Sequence, residues 1–256
     1  MKKRGSKKTA APLGQHLLTN TKVAERVASE AGVTTGVRVL EIGPGKGILT
    51  AELLKLGGIV TAVEKDPQMI VALNERFQKE IADKQLTILS GDARTITPDD
   101  VFPRGAYVVA ANIPYYITGE LLRTCLTAKN QPSAVSFLVQ KEVAERVARS
   151  KKESILSLSV KAYGTPKYVT TVKAGNFNPP PRVDSAILAI TNVSRKNFKH
   201  VDEQKFFALV KAGFGQKRKT LAGNVRRALN VELDIDQKIR AEDVALDTWL
   251  ELAKKI

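Results

Sequence analysis

Apolar positions along most of the chain fall into two alternating patterns: short β-branched runs, and stretches in which they recur every three or four residues. The first pattern predicts buried parallel strands and the second predicts helices packed against them. Val37, Val39, Leu40 and Ile42 make the first run; Gly43, Gly45 and Gly47 follow, and Ile48, Leu49, Ala51, Leu53 and Leu54 begin a helical stretch. Ahead of this run, Val23, Ala24, Val27 and Ala28 lie at helical spacing, with Asn20 or Thr21 as the N-cap. After it, a strand over Ile59–Val63 ends in Glu64, and Asp66 caps a helix carrying Met69, Ile70, Leu73 and Phe77. Strands over Leu86–Leu89 and Tyr107–Ala111 come next, the second running into Asn112-Ile113-Pro114-Tyr115. A helix over Leu121–Ala128, a strand over Ala134–Val139 and a helix over Glu142–Arg149 complete the alternation. Strand–helix alternation with short connections predicts an α/β fold with a doubly wound, mostly parallel sheet.

Beyond it the pattern predicts a helix near Ile155–Ala162 and two strands, Tyr168–Val172 and Ser185–Thr191, joined by the proline-rich FNPPPRVD. Chain order does not fix where those two strands pair. Composition shifts after about Asn192. Phe206, Phe207, Leu209 and Val210, then Leu221, Val225 and Leu229, then Val244, Leu246, Trp249, Leu250 and Leu252 have helical spacing. The expected organisation is a flexible basic arm (1–12), an α/β domain (13–192) and a small all-helical domain (193–256).

Composition narrows the function. Hydrophobic content of 43% and charged content of 26% are those of a soluble globular protein. No apolar run is long enough to span a bilayer, and the basic MKKRGSKKTAAPLG start lacks the apolar core of a secretory signal. A single cysteine, Cys125, among Leu121, Leu122 and Leu126, suits a reducing cytoplasm and core packing. The 41 Lys and Arg against 26 Asp and Glu give +15, which predicts a polyanionic partner, nucleic acid rather than membrane. Lys217, Arg218, Lys219, Arg226 and Arg227 concentrate that charge on the helical part, as candidate RNA-binding residues.

The strand–glycine–helix unit marks a ligand site at a strand's carboxyl end, where glycine lets the backbone approach a bound molecule. Its spacing is GxGxG, without a dinucleotide or P-loop pattern. Glu64, at the end of the next strand, is placed to accept from a ribose diol. A nucleoside without a diphosphate fits both features, which favours S-adenosylmethionine over NAD. Asp92, after the third strand, and Asn112, after the fourth, belong to the same crevice, with Gln15 and His16 ahead of the first helix. Asp92 is suited to an adenine amino group.

Asn112-Ile113-Pro114-Tyr115 carries the most specific chemistry. The lone pair of an exocyclic amine is delocalised into its ring and is a poor nucleophile. Acceptors from Asn112 and from the Ile113 or Pro114 carbonyl would draw the nitrogen towards tetrahedral geometry. Pro114 fixes the local backbone, and Tyr115 offers a face for a base, worth roughly 1–3 kcal/mol. An ordinary strand–proline turn with a buried tyrosine is the bland alternative.

NIPY, EIGPGKG, GQHLL, GDA and FNPPPRVDSAIL together resemble the KsgA family of rRNA adenine N6,N6-dimethyltransferases, over roughly Gly14 to Ala228. The resemblance implies a Rossmann-like methyltransferase domain with a small helical domain. It also implies N6 dimethylation of two adjacent adenosines in a hairpin near the 3′ end of small-subunit rRNA. On that basis His16 and Leu18 contact the cofactor, Gly43 lies against its methionine part, Glu64 holds the ribose, and Asp92 meets the adenine edge. Asn112 bridges cofactor and amine, Pro114 shapes the turn, and Tyr115 and Phe177 sandwich the target base. The family's usual GQNFL reads GQHLL here, so His16 and Leu17 replace Asn and Phe. The implied partner is small-subunit rRNA within a pre-30S particle, met by a cytoplasmic monomer with no metal and no membrane. Two alternatives stay open: an Erm-type enzyme acting on large-subunit rRNA, and an RNA-binding assembly factor with secondary methylation. GFGQKRKTL, Gly213–Leu221, resembles the KsgA segment more than the Erm one, and the intact site residues favour an enzyme.

Overall fold

The computed structural model of the chain describes residues 16–256; the expected basic arm (1–12) and Gln15 lie outside them. A short β1 (Leu17–Leu18) leads into α1 (Thr21–Glu30). Asn20 caps α1, its side chain accepting from the Lys22 N–H at 3.0 Å. The alternation then runs β2 (Arg38–Ile42), α2 (Ile48–Lys55), β3 (Ile59–Glu64), α3 (Pro67–Arg76), α4 (Gln78–Ala82), β4 (Leu86–Ser90), α5 (Pro98–Val101) and β5 (Val108–Asn112). It continues through α6 (Thr118–Thr127), β6 (Ala134–Gln140), α7 (Lys141–Ala148), α8 (Ile155–Lys161), β7 (Thr165–Val172), β8 (Phe177–Asn178) and β9 (Ser185–Thr191). Three helices complete the order: α9 (Glu203–Gly213), α10 (Leu221–Leu229) and α11 (Leu246–Lys254).

Seven strands form one sheet in the order β4-β3-β2-β5-β6-β9-β7. From β4 to β6 every pairing is parallel, while β9 runs antiparallel to both β6 and β7. The doubly wound, mostly parallel sheet read from the alternation is thus present, and the strands that chain order left unplaced take its far edge. Burial explains their order. β9, SAILAIT, is buried at six of its seven positions and so needs a neighbour on each side. β7 is partly exposed along its length and carries Pro166, which an edge strand tolerates.

Alternate residues of the central strands feed apolar clusters on opposite faces. Val39, Val108 and Ala110 join the cluster of α1–α3; Leu40, Val109 and Ala111 join the other. This second cluster continues into α9–α11 through Phe206, Leu209, Val210 and Trp249. The helical part therefore shares a continuous apolar core with the sheet. Trp249 is fully buried; its Nε1 donates to the Val244 carbonyl at 3.2 Å and its ring stacks on Phe214 at 5.8 Å. Cys125 is also buried, which pushes its thiol up to about 12, in keeping with a packing role.

Strand order changes direction at β2: chain connections go to β3 on one side and to β5 on the other. In an open α/β sheet that reversal leaves a crevice at the carboxyl ends of the strands. Gly43, Glu64 and Asn112 stand at or just past three of those ends, and Asp92 follows the fourth.

Candidate active site

Gly43, Gly45 and Gly47 all take positive φ, +67°, +55° and +75°, which a side chain at any of them would strain. At Gly45 a Cβ would also come within 2.9 Å of Leu17. The turn therefore presents bare backbone to the crevice, with β1 lying close over it.

Glu64 organises this turn. It is 4% exposed, and its carboxylate accepts from three backbone N–H groups: Gly45 to Oε2 at 3.0 Å, and Lys65 and Asp66 to Oε1 at 2.8 and 2.9 Å. A carboxylate has about four lone-pair sites. One remains, on the oxygen shared with Gly45, and a ribose hydroxyl can use it.

Asp92 lines the same pocket but is strongly engaged. Arg94 Nη2 approaches it at 2.6 Å and Lys65 Nζ at 3.0 Å; the Arg94 hydrogen bonds hold its carboxyl well below the usual range. Any further donor to this carboxylate, such as an adenine amino group, would share it with Arg94. That pairing is not visible in the sequence. Arg94 is two residues from Asp92, in a loop whose geometry no periodicity reports.

Asn112 donates its Nδ2–H to the His16 carbonyl at 3.3 Å. That bond orients the amide and leaves Oδ1 as its free acceptor. Tyr115 stands beside it, half-buried, with its hydroxyl 2.7 Å from Ser185 Oγ, and burial raises the hydroxyl's pKa. Against its ring lies His16, centroids 5.8 Å apart and planes 29° from parallel. His16 Nδ1 donates to the Pro179 carbonyl at 2.8 Å. Pro179 lies in the proline-rich segment and Ser185 opens β9 directly after it, so this stretch buttresses the lead-in segment and Tyr115 together. Pro114 lines the pocket between them, with Tyr116, 70% exposed, at the rim.

His16, Leu18, Gly43, Glu64, Asp92, Asn112, Pro114 and Tyr115 all line this one pocket. Phe177 does not. It sits on β8, paired with Leu18 across a two-stranded antiparallel ladder, and is 4% exposed in the apolar core. The aromatic ring beside Tyr115 is His16 instead. Lys217, Arg218 and Lys219 are exposed in the turn between α9 and α10, and Arg226 and Arg227 in the last turn of α10, away from this pocket.

Glu41 is a further functional candidate, signalled in the sequence only by being a carboxylate inside an apolar strand. It is fully buried, with neither oxygen in hydrogen-bond geometry; burial pushes its carboxyl up to about 8 against the lowering influence of nearby Thr50, and Glu64 adds to the rise. The folded state therefore keeps a proton that the unfolded chain releases near its ordinary value of about 4.3. Between these values folding binds the extra proton, so stability falls as pH rises, by up to about 1.4 kcal/mol per pH unit. Glu41→Gln should remove this slope. Urea unfolding at pH 5.5 and 7.5 measures it, and a parent–variant difference that stays constant over that range would contradict the assignment.

Backbone room at the glycines, a spare acceptor on Glu64 and an open acceptor on Asn112 suit a nucleoside joined to an amino-acid chain. Fold and pocket define a Rossmann-like methyltransferase that uses S-adenosylmethionine. The family model described as ribosomal RNA adenine dimethylase matches residues 6–256, and the chain belongs to that family. A Dehalococcoides mccartyi protein named ribosomal RNA small subunit methyltransferase A is 37% identical over 252 residues, 94% of this chain and 86% of its own. A Parabacteroides distasonis protein of the same name is 36% identical over 248 residues, 94% and 91% of the two chains. Among solved structures, a dimethyladenosine transferase from Plasmodium falciparum superposes with a TM-score of 0.78 at 25% identity, over 93% of this chain and 96% of its own. The 23S rRNA methyltransferase ErmE shares the fold, with a TM-score of 0.72 at 24% identity over 93% and 98%. Among the described residues no helix is long and apolar enough to cross a membrane, and no cluster of His, Cys, Asp and Glu could hold a metal.

Proposed function

We propose that this enzyme dimethylates N6 of two adjacent adenosines in a hairpin near the 3′ end of small-subunit rRNA, acting as a cytoplasmic monomer on a pre-30S particle. The observation that carries the reading is the amide of Asn112, tied through Nδ2 to His16 with Oδ1 left to the pocket. S-adenosylmethionine supplies an electrophilic methyl group on a sulfonium. Asn112 Oδ1 and the Ile113 carbonyl accept from the target amine and localise its lone pair. The Ile113 carbonyl is preferred because that of Pro114 already accepts from the Ile117 N–H at 3.3 Å. Tyr115 supplies a face for the adenine after it leaves its stack. No strong base is needed, because the alkylated ammonium is acidic. Leu18, Gly43, Glu64 and Asp92 hold the cofactor, with His16 closing over it, and Phe177 supports them by fixing Leu18. The α/β part (13–192) carries the transfer, and the helical part (193–256) brings Lys217, Arg218, Lys219, Arg226 and Arg227 to the RNA.

The direct test is incubation with labelled S-adenosylmethionine and unmethylated small subunits, followed by nucleoside analysis. Label in N6,N6-dimethyladenosine supports the reading; label on another base or on large-subunit rRNA refutes it. At the cofactor, Glu64→Ala should weaken S-adenosylmethionine binding by about 1.5–3 kcal/mol, as for a hydrogen bond to a charged group. Calorimetry that finds the parent affinity in the variant removes Glu64 from the ribose.

A further inference from the structure

A second cavity, of about 610 Å³, opens between the loop joining α7 to α8, the turn between α9 and α10, and the segment Arg240–Glu242 ahead of α11. It shares no lining residue with the methyl-transfer pocket. Leu156, in the cavity wall, is 3.9 Å from where a Cβ on Gly119 would stand, four residues beyond Tyr115.

Five cationic side chains line it, Arg146, Lys152, Lys217, Lys219 and Arg240, against two carboxylates, Glu153 and Glu242. Glu153 is engaged elsewhere, by Lys161 at 2.5 Å and Ser157 at 2.7 Å. Glu242 is the lining acid that answers the cavity's charge; from outside the lining, Asp243 reaches Lys152 at 3.8 Å and Glu142 pairs with Arg146. Glu242 lies between Lys152 Nζ at 2.7 Å and Arg240 Nη2 at 3.2 Å. Among the described residues Lys217 and Lys219 pair with no carboxylate. Arg240 Nη2 also donates to the Lys217 carbonyl, and its Nε is buried with no partner.

A single carboxylate thus meets only one arm of a guanidinium built to bind two oxygens side by side. A phosphate in the place of Glu242 can face Nε and Nη2 together, the geometry arginine prefers, with an ammonium beside it. Phe214, stacked on Trp249, also lines the cavity.

We propose that this cavity seats phosphates of the RNA strand carrying the target adenosine, with Lys152, Lys219 and Arg240 as their ligands and Glu242 as an internal counter-ion that phosphate displaces. The inference rests on the reading of the chain as an RNA-modifying enzyme. It adds that the strand is gripped jointly by the α7–α8 loop and the helical part. Arg146 at the rim extends the path.

The test is binding of the full chain to a fluorescein-labelled RNA hairpin between 50 and 200 mM salt, concentrations over which phosphate contacts are clearly resolved. The double variant Lys152→Ala with Lys219→Ala should flatten the salt slope by about 1.5, at roughly 0.7 per single-strand phosphate contact. A charge-matched control, Lys22→Ala with Lys79→Ala, should leave that slope unchanged. Glu242→Gln keeps the shape and the Lys152 hydrogen bond but removes the competing charge, so RNA should bind at least threefold more tightly. A purely structural latch predicts the opposite, because losing the ion pair would loosen the loop. Thermal midpoints and S-adenosylmethionine affinity check that each variant is folded. A slope in the double variant equal to that of the control, or equal or weaker binding by Glu242→Gln, overturns the proposal. A parent that puts no methyl on small-subunit rRNA while these binding effects persist refutes the function and leaves the cavity standing. Methylation by the parent with no binding effect does the reverse.

Discussion

Asn112→Ala should lower kcat by roughly 10²–10³-fold, the loss typical when one preorganised polar group is removed from a transition state. KM for the RNA should stay within a few fold of the parent. The contact grows stronger as the target nitrogen becomes tetrahedral, so its loss belongs to the chemical step and not to binding. The side chain has a second duty, the 3.3 Å bond from Nδ2 to the His16 carbonyl, and alanine removes that too. Asn112→Asp separates the two duties. It keeps an acceptor on the pocket side but sets an oxygen against the His16 carbonyl, so its activity should fall between parent and alanine. Single-turnover rates with saturating RNA and cofactor measure the step itself. Equal single-turnover rates in Asn112→Ala and the parent would take Asn112 out of the chemistry.

The parts of this site that could be read in the sequence are those set by local chain geometry. Gly43, Glu64, Asp92 and Asn112 each follow a strand whose apolar run is visible on its own, and a doubly wound sheet brings strand ends together. The parts that could not be read depend on contacts between distant segments. Two-residue strands such as Leu17–Leu18 and Phe177–Asn178 have no periodicity to detect, yet their pairing carries the lead-in segment over the glycine turn. That pairing also draws Phe177 into the core, where its ring fills space beside Leu18 and Ile187. The same limit applies to the helix expected to run through Phe77. Spacing continues through that residue, but its backbone (φ −116°, ψ 33°) ends α3, and α4 starts afresh after it. Charge pointed to a nucleic-acid partner. It did not show that Lys217 and Lys219 line a cavity while Arg218 between them does not, because neighbours in sequence on a turn can point different ways.

Tyr115→Ala and Tyr115→Phe should part company, and how they do so tests whether the ring or the hydroxyl matters. Alanine removes the face proposed for the adenine, a loss of about 1–3 kcal/mol that would fall on a base already out of its stack. Activity should drop by roughly 5–150-fold, the rate equivalent of that range. The second methyl transfer should suffer more than the first, because the monomethylated base has to be held or caught again. Phenylalanine keeps the face. Its cost lies elsewhere, since the hydroxyl is 2.7 Å from Ser185 Oγ and Ser185 is fully buried. Leaving that serine without its partner should lower stability by about 1–3 kcal/mol while kcat at permissive temperature stays near the parent value. Mass spectrometry of digested rRNA gives the product ratio, and a thermal melt gives the stability. The parent should yield N6,N6-dimethyladenosine with monomethyladenosine only in passing, whereas Tyr115→Ala should accumulate the monomethyl form. If Tyr115→Phe is as inactive as Tyr115→Ala at a temperature where both are folded, the hydroxyl takes part in the transfer and the ring is not its main contribution.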